Sequence, residues 1–491
     1  MHTQVYHSHE IQAWEGRWFS QQNSSFGLMQ QVAWSIAQRL VKLFTISTPK
    51  TQQIAIWCGA GNNAGDGYCL ARYLQDLGYQ VTVFAAPVGT SVDLHAAIQL
   101  AKTHQVNIQQ GFEFHQQFDC HIDALFGIGL NRILNEEWQA VIEKFNQQTG
   151  LKIAIDLPSG LQANTGQSLP IAVKADLTYS VLGLKAGLLT GQGREYAGEI
   201  EVISVIPADA ELKTLAQLSA TQIHLPQRQA FGHKGSYGHV LIVGGHAQMG
   251  GAVMMAAESA FSAGAGKVTI VCDAKHHTAI LARSPNIMLR DINELSDQDV
   301  EVLLDQVDAV SLGMGLGRDV WAEQQFLKWF PKVNVATHLH VVLDADALWF
   351  LALNPTKVKE QTYLTPHSGE AAKLLHCSVL EIERDRIAAI YQLQEKYAGQ
   401  WVLKGSGSLT LEQQTLWICP AGNAGMGTGG MGDVLAGMIA SLKAQFSDQL
   451  ALHEIVTLHA LAGDYLAQQG QRGLQAHHMN HAVYDVINHA E

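Results

Sequence analysis

Apolar positions fall in short runs rich in β-branched residues, separated by longer stretches of helical period. In the first part of the chain the runs lie at 52–58, 79–85, 118–125, 151–157, 175–182 and 198–205, with helical segments such as 67–77 and 136–147 between them. Runs that are apolar on both faces predict a parallel sheet covered by helices. After Pro207 the rhythm breaks into a short helical piece and a polar loop with Pro226, Gly232 and Gly235. That break puts a domain boundary at about 208–225. A second set of runs follows at 238–245, 266–272, 308–314, 339–346, 362–366 and 400–405. The last strong element is a helix at 430–442, behind a glycine-rich loop. The pattern predicts an α/β chain of two domains.

Composition narrows this picture. The chain has 491 residues, 47% hydrophobic and only 15% charged, against about 25% charged in ordinary proteins. Low charge with ample apolar residues excludes a largely disordered chain. The net charge of −13 argues against nucleic acid and anionic membranes as partners. A small anionic ligand stays open, because backbone N–H groups hold anions without cationic side chains. Six cysteines without a C-x-x-C pair read as reduced thiols of a cytoplasmic protein. The N-terminus lacks the basic and apolar regions of a signal peptide, and the apolar stretch 251–266, interrupted by Glu258 and three glycines, is too broken to span a bilayer. His477, His478 and His481 have no zincin Glu or Cys beside them and read as a solvated helix face, and His2, His7 and His9 as a loose terminus. No zinc is expected.

The chemistry concentrates at glycine loops and strand ends. Gly59-x-Gly61-x-x-Ala64 follows a strand and opens a helix, which fits the loose dinucleotide fingerprint. The next strand ends Phe84-Ala85-Ala86-Pro87, without the acid that holds a ribose, so a redox dinucleotide site is disfavoured. Asn62, Asn63 and Asp66 in the same loop add amides and a carboxylate at a helix start. Two further strand ends, Asp123-Ala-Leu-Phe-Gly127 and Asp156-Leu-Pro-Ser159-Gly, point to the same sheet edge. Asn63, Asp123 and Ser159 are therefore candidate oxygen ligands for a cation, and Asp156 a candidate acid/base. Each Asp singly is as readily a cap or turn residue.

In the second half, Gly422 to Gly432 holds six glycines and runs directly into a helix. Successive N–H groups and the helix dipole suit a phosphoryl group in transfer, and Asp433 at the helix start is a candidate base. The loop is not a Walker loop, since Gly264-Ala-Gly-Lys267 has the wrong spacing. Lys404-Gly405-Ser406-Gly407-Ser408, Asp344-Ala-Asp346 and Thr365-Pro-His367-Ser-Gly-Glu370 end strands, and fit nucleotide and magnesium handling or plain turns.

Two resemblances follow from these segments. The motifs GNNAGDG, DALFGIGL and IDLPSG, with Thr165-Gly166, Lys185 and Gly187, resemble the NAD(P)H-hydrate epimerase family over about residues 10–207. Ala64 stands where that family has Gly, and Gln30-Gln31-Val32-Ala33 replaces its Glu and Ala-Gly pair. This resemblance implies that Asn62, Asn63, Ala64, Gly65, Asp66, Gly127, Ile128, Gly129, Leu130, Asn131, Arg132, Ile133 and Asp156 contact a hydrated NADH or NADPH. It also implies that Asn63, Asp123 and Ser159 bind K+. From His233-Lys-Gly through Gly264-Ala-Gly, DADAL, TPHSGE, KGSGS and GTGGMGD, residues 225–491 resemble the ribokinase-like NAD(P)H-hydrate dehydratase family. Met314 replaces that family's Pro before Gly-Leu-Gly, and Asn286 its Glu. This second resemblance implies substrate contacts at Ala252, Gly315, His367 and Asp433. It implies adenine nucleotide contacts at Lys404, Gly405, Ser406, Gly407, Ser408 and Gly432, with Mg2+ and ADP as co-substrate.

The expected fold is thus a Rossmann-like three-layer sandwich at 1–212 and a ribokinase-like α/β domain at 220–491. The expected function is epimerisation and ADP-dependent dehydration of nicotinamide nucleotide hydrates by a cytoplasmic homo-oligomer. The alternative is a ribokinase-fold kinase of a small vitamin precursor with an accessory nucleotide-binding domain.

Overall fold

The computed structural model describes residues 3–46, 53–113 and 116–490. The chain divides into two compact units, Met1–Gln217 and Leu218–Glu491.

The first unit is built on a seven-stranded sheet, all parallel. Its order is Asn107–Gln110, Gln80–Ala85, Gln53–Cys58, Cys120–Ala124, Leu151–Ile155, Leu177–Val181 and Glu199–Ile203. The third, second and first strands in chain order are followed by the fourth to seventh, the order of a Rossmann-like sandwich. Alternation within one strand shows both faces covered. Ile54, Ile56 and Cys58 join the core beneath helices Ser25–Ile46 and Asn62–Asp76. Ala55 and Trp57 join an aromatic cluster with Phe84, Phe118 and Phe145 on the other face.

The outcome differs from the sequence expectation in several places. The first glycine loop is shorter than expected, because the helix begins at Asn62 and takes Asn62 to Asp66 into its first turns. Thr214–Leu218 is a strand rather than a short helix: it pairs antiparallel with Gln4–Tyr6, and that distant partner overrides local helical preference. The N-terminus is accordingly ordered, with His7 capping helix Ser8–Ser20, which also carries His9. His2 lies outside the described residues. The strand Asn107–Gln110 was not expected; its exposed, amide-rich sequence has no apolar run to reveal it.

In the second unit seven parallel strands run in the order Met288–Asp291, Lys267–Cys272, His239–Val243, Ala309–Leu312, His340–Leu343, Val358–Leu364 and Ala398–Leu403. The antiparallel hairpin Leu409–Glu412 and Thr415–Ile418 continues the sheet. This is the α/β sheet expected of a ribokinase-like domain. Val240 and Ile242 enter a core shared with helices Gly250–Ser262, Met431–Phe446 and Leu452–Ala467, while the alternating Leu241 and Val243 are also fully buried.

The helix expected as the last strong element is followed by two more, Leu452–Ala467 and Met479–His489. The first is apolar around most of its circumference, which erases the amphipathic period that would announce it. The terminal histidines divide between a short 3-10 turn, Ala476–His478, and this last helix, where His481 is exposed. Among the described residues no helix is long and apolar enough to cross a membrane.

Helices Gly250–Ser262 and Met431–Phe446 cross in close contact at Gly437, where a Cβ would overlap the Ala256 carbonyl oxygen and Ser259 Oγ. Ser259 Oγ donates to both Ala256 O and Val434 O, at 2.9 Å each. Gly437→Val is therefore expected to force these helices apart. Overpacking of this kind costs about 1–3 kcal/mol or more, checked as a lower urea midpoint for the full chain.

Candidate functional site

Each unit gathers its polar residues at the carboxyl edge of its parallel strands, where open α/β sheets bind ligands. In the first unit Asp156 follows the strand Leu151–Ile155 with φ +70, a left-handed conformation that costs a non-glycine residue about 1–2 kcal/mol. The strain aims a buried carboxylate into a fixed set of donors. Lys185 Nζ, fully buried, donates to Asp156 Oδ1 at 2.5 Å, to Val181 O at 2.6 Å and to Ser180 Oγ at 3.2 Å. The N–H of Val181 donates to the same carboxylate oxygen at 3.3 Å, and that of Ile128 to Oδ2 at 3.3 Å.

Asp66 and Glu15 complete the cluster. Burial raises the Asp66 carboxyl well above the usual carboxylate range, reinforced by the charges of Asp156 and Glu15. Burial also pushes Glu15 up to about 7, with Asp156 adding to the shift and Lys185 opposing it. Sequence reading missed Glu15. It lies in helix Ser8–Ser20, far along the chain from Asp156, and no motif marks it.

The expected cation ligands also converge. Asn63 Nδ2 donates to Phe126 O at 2.8 Å, and its Oδ1 is buried without a partner. Asp123 is fully buried, accepting from Ser159 Oγ at 2.6 Å and Ser159 N at 2.7 Å, and burial pushes its carboxyl up to about 6. The residues expected to touch substrate divide. Gly127 and Ile128 lie against Asp156, and Ala64 and Gly65 are buried in the helix start. The Asn62 side chain accepts from Ser91 Oγ at 2.5 Å. Gly129, Asn131, Arg132 and Ile133 are exposed on the following loop, whereas Leu130 is buried in the aromatic cluster with Trp57.

In the second unit the strand-end residues meet around one ammonium group. Lys404 Nζ lies 2.7 Å from Asp344 Oδ1 and 3.8 Å from Glu370 Oε2. Thr365 Oγ1 donates to the same Asp344 oxygen at 2.8 Å. Burial disfavours the Lys404 charge, but the carboxylates Asp344 and Glu370 outweigh it and hold its pKa above the usual value. The glycine loop passes directly over this group, since a Cβ on Gly432 would sit 3.0 Å from Lys404 Nζ. Gly430, with φ +95, makes the turn into helix Met431–Phe446, and any side chain there would meet Met255 Sδ at 2.7 Å. Asp433 is the third residue of that helix, not its cap. Burial pushes its carboxyl up to about 7, with Asp344 next in effect and Lys404 opposing.

Gly315, with φ +57, brings its Cα beside Ala252: a Cβ would lie 3.2 Å from that of Ala252. His367 caps helix Ser368–Leu375 in a box with Glu370 and bridges to Lys404. Gly405 to Ser408 close as a turn, with Ser408 Oγ donating to Gly405 O at 3.1 Å. Ser406 is exposed and Gly407 buried within it. Sequence reading missed Arg386, which is fully buried behind this turn and donates to Leu403 O at 3.1 Å and Lys404 O at 3.3 Å.

Two strand-edge sites, each with a lysine held among carboxyls beside a glycine-rich helix start, define an α/β enzyme that handles anionic nucleotides in both units. Comparison with known proteins places it further. Residues 25–187 match the family described as YjeF-related protein N-terminus, and residues 240–484 match the NAD(P)H-hydrate dehydratase family. The bifunctional NAD(P)H-hydrate repair enzyme Nnr of Coxiella burnetii is 39% identical over 442 residues, covering 87% of this chain and 88% of that protein. The enzyme of the same description from Vibrio cholerae is 40% identical over 438 residues, covering 86% of each. An ADP/ATP-dependent NAD(P)H-hydrate dehydratase from Bacillus subtilis, co-crystallised with ATP/Mg2+, is 26% identical with a TM-score of 0.49, over 55% of this chain and 96% of that one. The chain belongs to the family of bifunctional NAD(P)H-hydrate repair enzymes.

The Lys185–Asp156 pair carries a testable cost. Removing one partner of a buried pair strands the other charge, at about 3–5 kcal/mol. Lys185→Met is expected to lower the urea midpoint of the full chain by that order, while Lys174→Met, at an exposed pair with Glu195, leaves it within about 0.5 kcal/mol.

Proposed function

We propose that residues 1–212 interconvert the R and S hydrates of NADH and NADPH, and that residues 220–491 dehydrate the S epimer at the expense of ADP. The observation that carries this reading is the presence of two lysine–carboxylate clusters, Asp156 with Lys185 and Asp344 with Lys404 near Asp433, on one chain of this family. Asp156, paired with Lys185, moves the proton in epimerisation, while Asn62 to Asp66 and the Gly127–Ile133 loop hold the nucleotide. Ala252, Gly315 and His367 hold the hydrate in the second unit. Lys404 to Ser408 and Gly432 hold the adenine nucleotide.

There the ring hydroxyl gives its proton to Asp433 as its oxygen takes the terminal phosphoryl group of ADP and AMP leaves. Loss of that phosphate with a ring proton restores the double bond of NAD(P)H. A base must be ionised to act, so the near-neutral titration of Asp433 ties this step to pH.

The oxygen-only set of Asn63, Asp123 and Ser159, with the orphaned Asn63 Oδ1, fits K+, which would fix the helix start against the Phe126 loop. Asp344, Glu370 and Asp433 outnumber Lys404, a surplus that suits Mg2+ arriving with the nucleotide. Among the described residues no three His, Cys, Asp or Glu side chains form a metal cluster alone. That agrees with the usual sharing of Mg2+ between one or two carboxylates and substrate phosphates. All six cysteines are free thiols, which supports a reducing, cytoplasmic setting.

The reading is tested with mixed epimers of the hydrate plus ADP or ATP, following NADH absorbance. The wild type is expected to convert all of it, whereas Asp156→Asn stops near about half, because one epimer is stranded. Asp433→Asn is expected to lose about 10²–10⁴-fold in dehydration and keep epimerisation. A stable phosphorylated product without NADH would instead indicate the kinase of a small precursor. Separately, kcat/KM for dehydration is expected to fall as pH drops through about 7, and Asp433→Glu to shift that limb.

A further inference from the structure

The Gly422–Gly432 loop raises a problem of its own. Six glycines give it more backbone freedom than any other residue type, and ordering that freedom costs entropy. A loop that must present N–H groups to a phosphate in one arrangement needs an external fixture.

One helix supplies it. Asp464, near the end of Leu452–Ala467, accepts from Gly422 N through Oδ2 at 2.8 Å and from Asn423 Nδ2 through Oδ1 at 2.8 Å. Asn423 passes the hold along, its own Oδ1 accepting from Gly425 N at 3.0 Å. The preceding residue of the helix is Gly463, where any Cβ would overlap the Met426 side chain seated on it. One turn earlier His459 is buried to 7% exposure. The hydrogen-bonded fixture therefore sits at the Gly422 end of the loop. Beyond it Gly427, Thr428 and Gly429 are exposed, and a Cβ on Gly429 would meet nothing within 4 Å.

We propose that Asp464 is a positioning residue for phosphoryl transfer: through Gly422, Asn423 and Gly425 it holds the glycine loop in its anion-receiving form. The inference rests on the reading of that loop as the phosphate site of the dehydratase. Asp464 touches no reacting atom. It acts on the nucleotide through the loop, so its loss falls on ADP and not on the hydrate.

The arrangement of donors permits a strict test. Asp464→Asn sets an amide against the Asn423 amide, and Asn423→Asp sets a carboxylate against the Asp464 carboxylate. In the double variant the amide at 464 accepts from Gly422 N and donates to the carboxylate at 423, which still accepts from Gly425 N. All three hydrogen bonds return, with donor and acceptor exchanged only between positions 464 and 423. Each single variant is expected to raise KM for ADP about tenfold or more, the usual loss for a hydrogen bond to a charged group, with KM for the hydrate unchanged. The double variant is expected to recover most of that loss. The unchanged KM for the hydrate, measured on the same preparations, verifies that the second unit is folded.

Wild-type KM for ADP in the single variants overturns the proposal, as does a double variant no better than the singles. A fall in kcat with neither KM moved indicates fewer active molecules, and also overturns it. Asp433→Asn is run in parallel. If that variant dehydrates normally, the loop reading itself fails. If it is inactive while the Asp464 variants are normal, only the positioning role fails.

Discussion

An ammonium group held out of water among more carboxyls than it can neutralise is the constraint around which both units are arranged. In the first unit Lys185 serves Asp156 while Asp66 and Glu15 stand close by. In the second Lys404 serves Asp344 while Glu370 and Asp433 share its field. Desolvated charge is tolerated only when paired and hydrogen-bonded, so the surrounding backbone is committed to supplying partners. Val181 and Ile128 donate to Asp156, and its left-handed conformation is retained because those contacts over-determine it. Burial pushes the Glu15 and Asp433 carboxyls up to about 7, into the range where proton transfer is useful.

The glycine loops answer the opposite need. An acidic protein whose substrate and co-substrate are both anionic cannot draw on a field of lysines, and Lys185 and Lys404 are engaged with carboxylates. In the proposed function, backbone N–H groups at the starts of helices Asn62–Asp76 and Met431–Phe446 carry the attraction instead. The strand-edge geometry then fixes where these helix starts lie, because each follows a parallel strand or faces the carboxyl ends of several.

Most of the framework was legible in the sequence, since strands buried on both faces announce themselves as β-branched runs and glycine loops as punctuation. The six strands expected in the first unit lie within their runs, and Asp123, Ser159, Asn63 and Asp156 meet at one edge. What was illegible depends on distance along the chain. Glu15 reaches the Asp156 cluster from the N-terminal helix, Arg386 backs the Lys404 turn, and Asp464 grips Gly422, yet none of them belongs to a motif. Secondary structure failed to show where periodicity was absent, as in the nearly all-apolar helix Leu452–Ala467, or where a remote strand decided the outcome, as at Thr214–Leu218. Leu130 shows a further limit: a residue inside a binding motif faces the core when the pleat of the chain turns it there.

The crossing at Gly437 has a mechanical meaning. Ala252 is the third residue of helix Gly250–Ser262 and Asp433 the third of helix Met431–Phe446, and backbone-to-side-chain contact joins the two helices at Ala256 and Gly437. They pack as one strut, whose closest crossing lies about one turn beyond both residues. A change of bulk at the crossing therefore acts on the spacing between Ala252 and Asp433 without touching either.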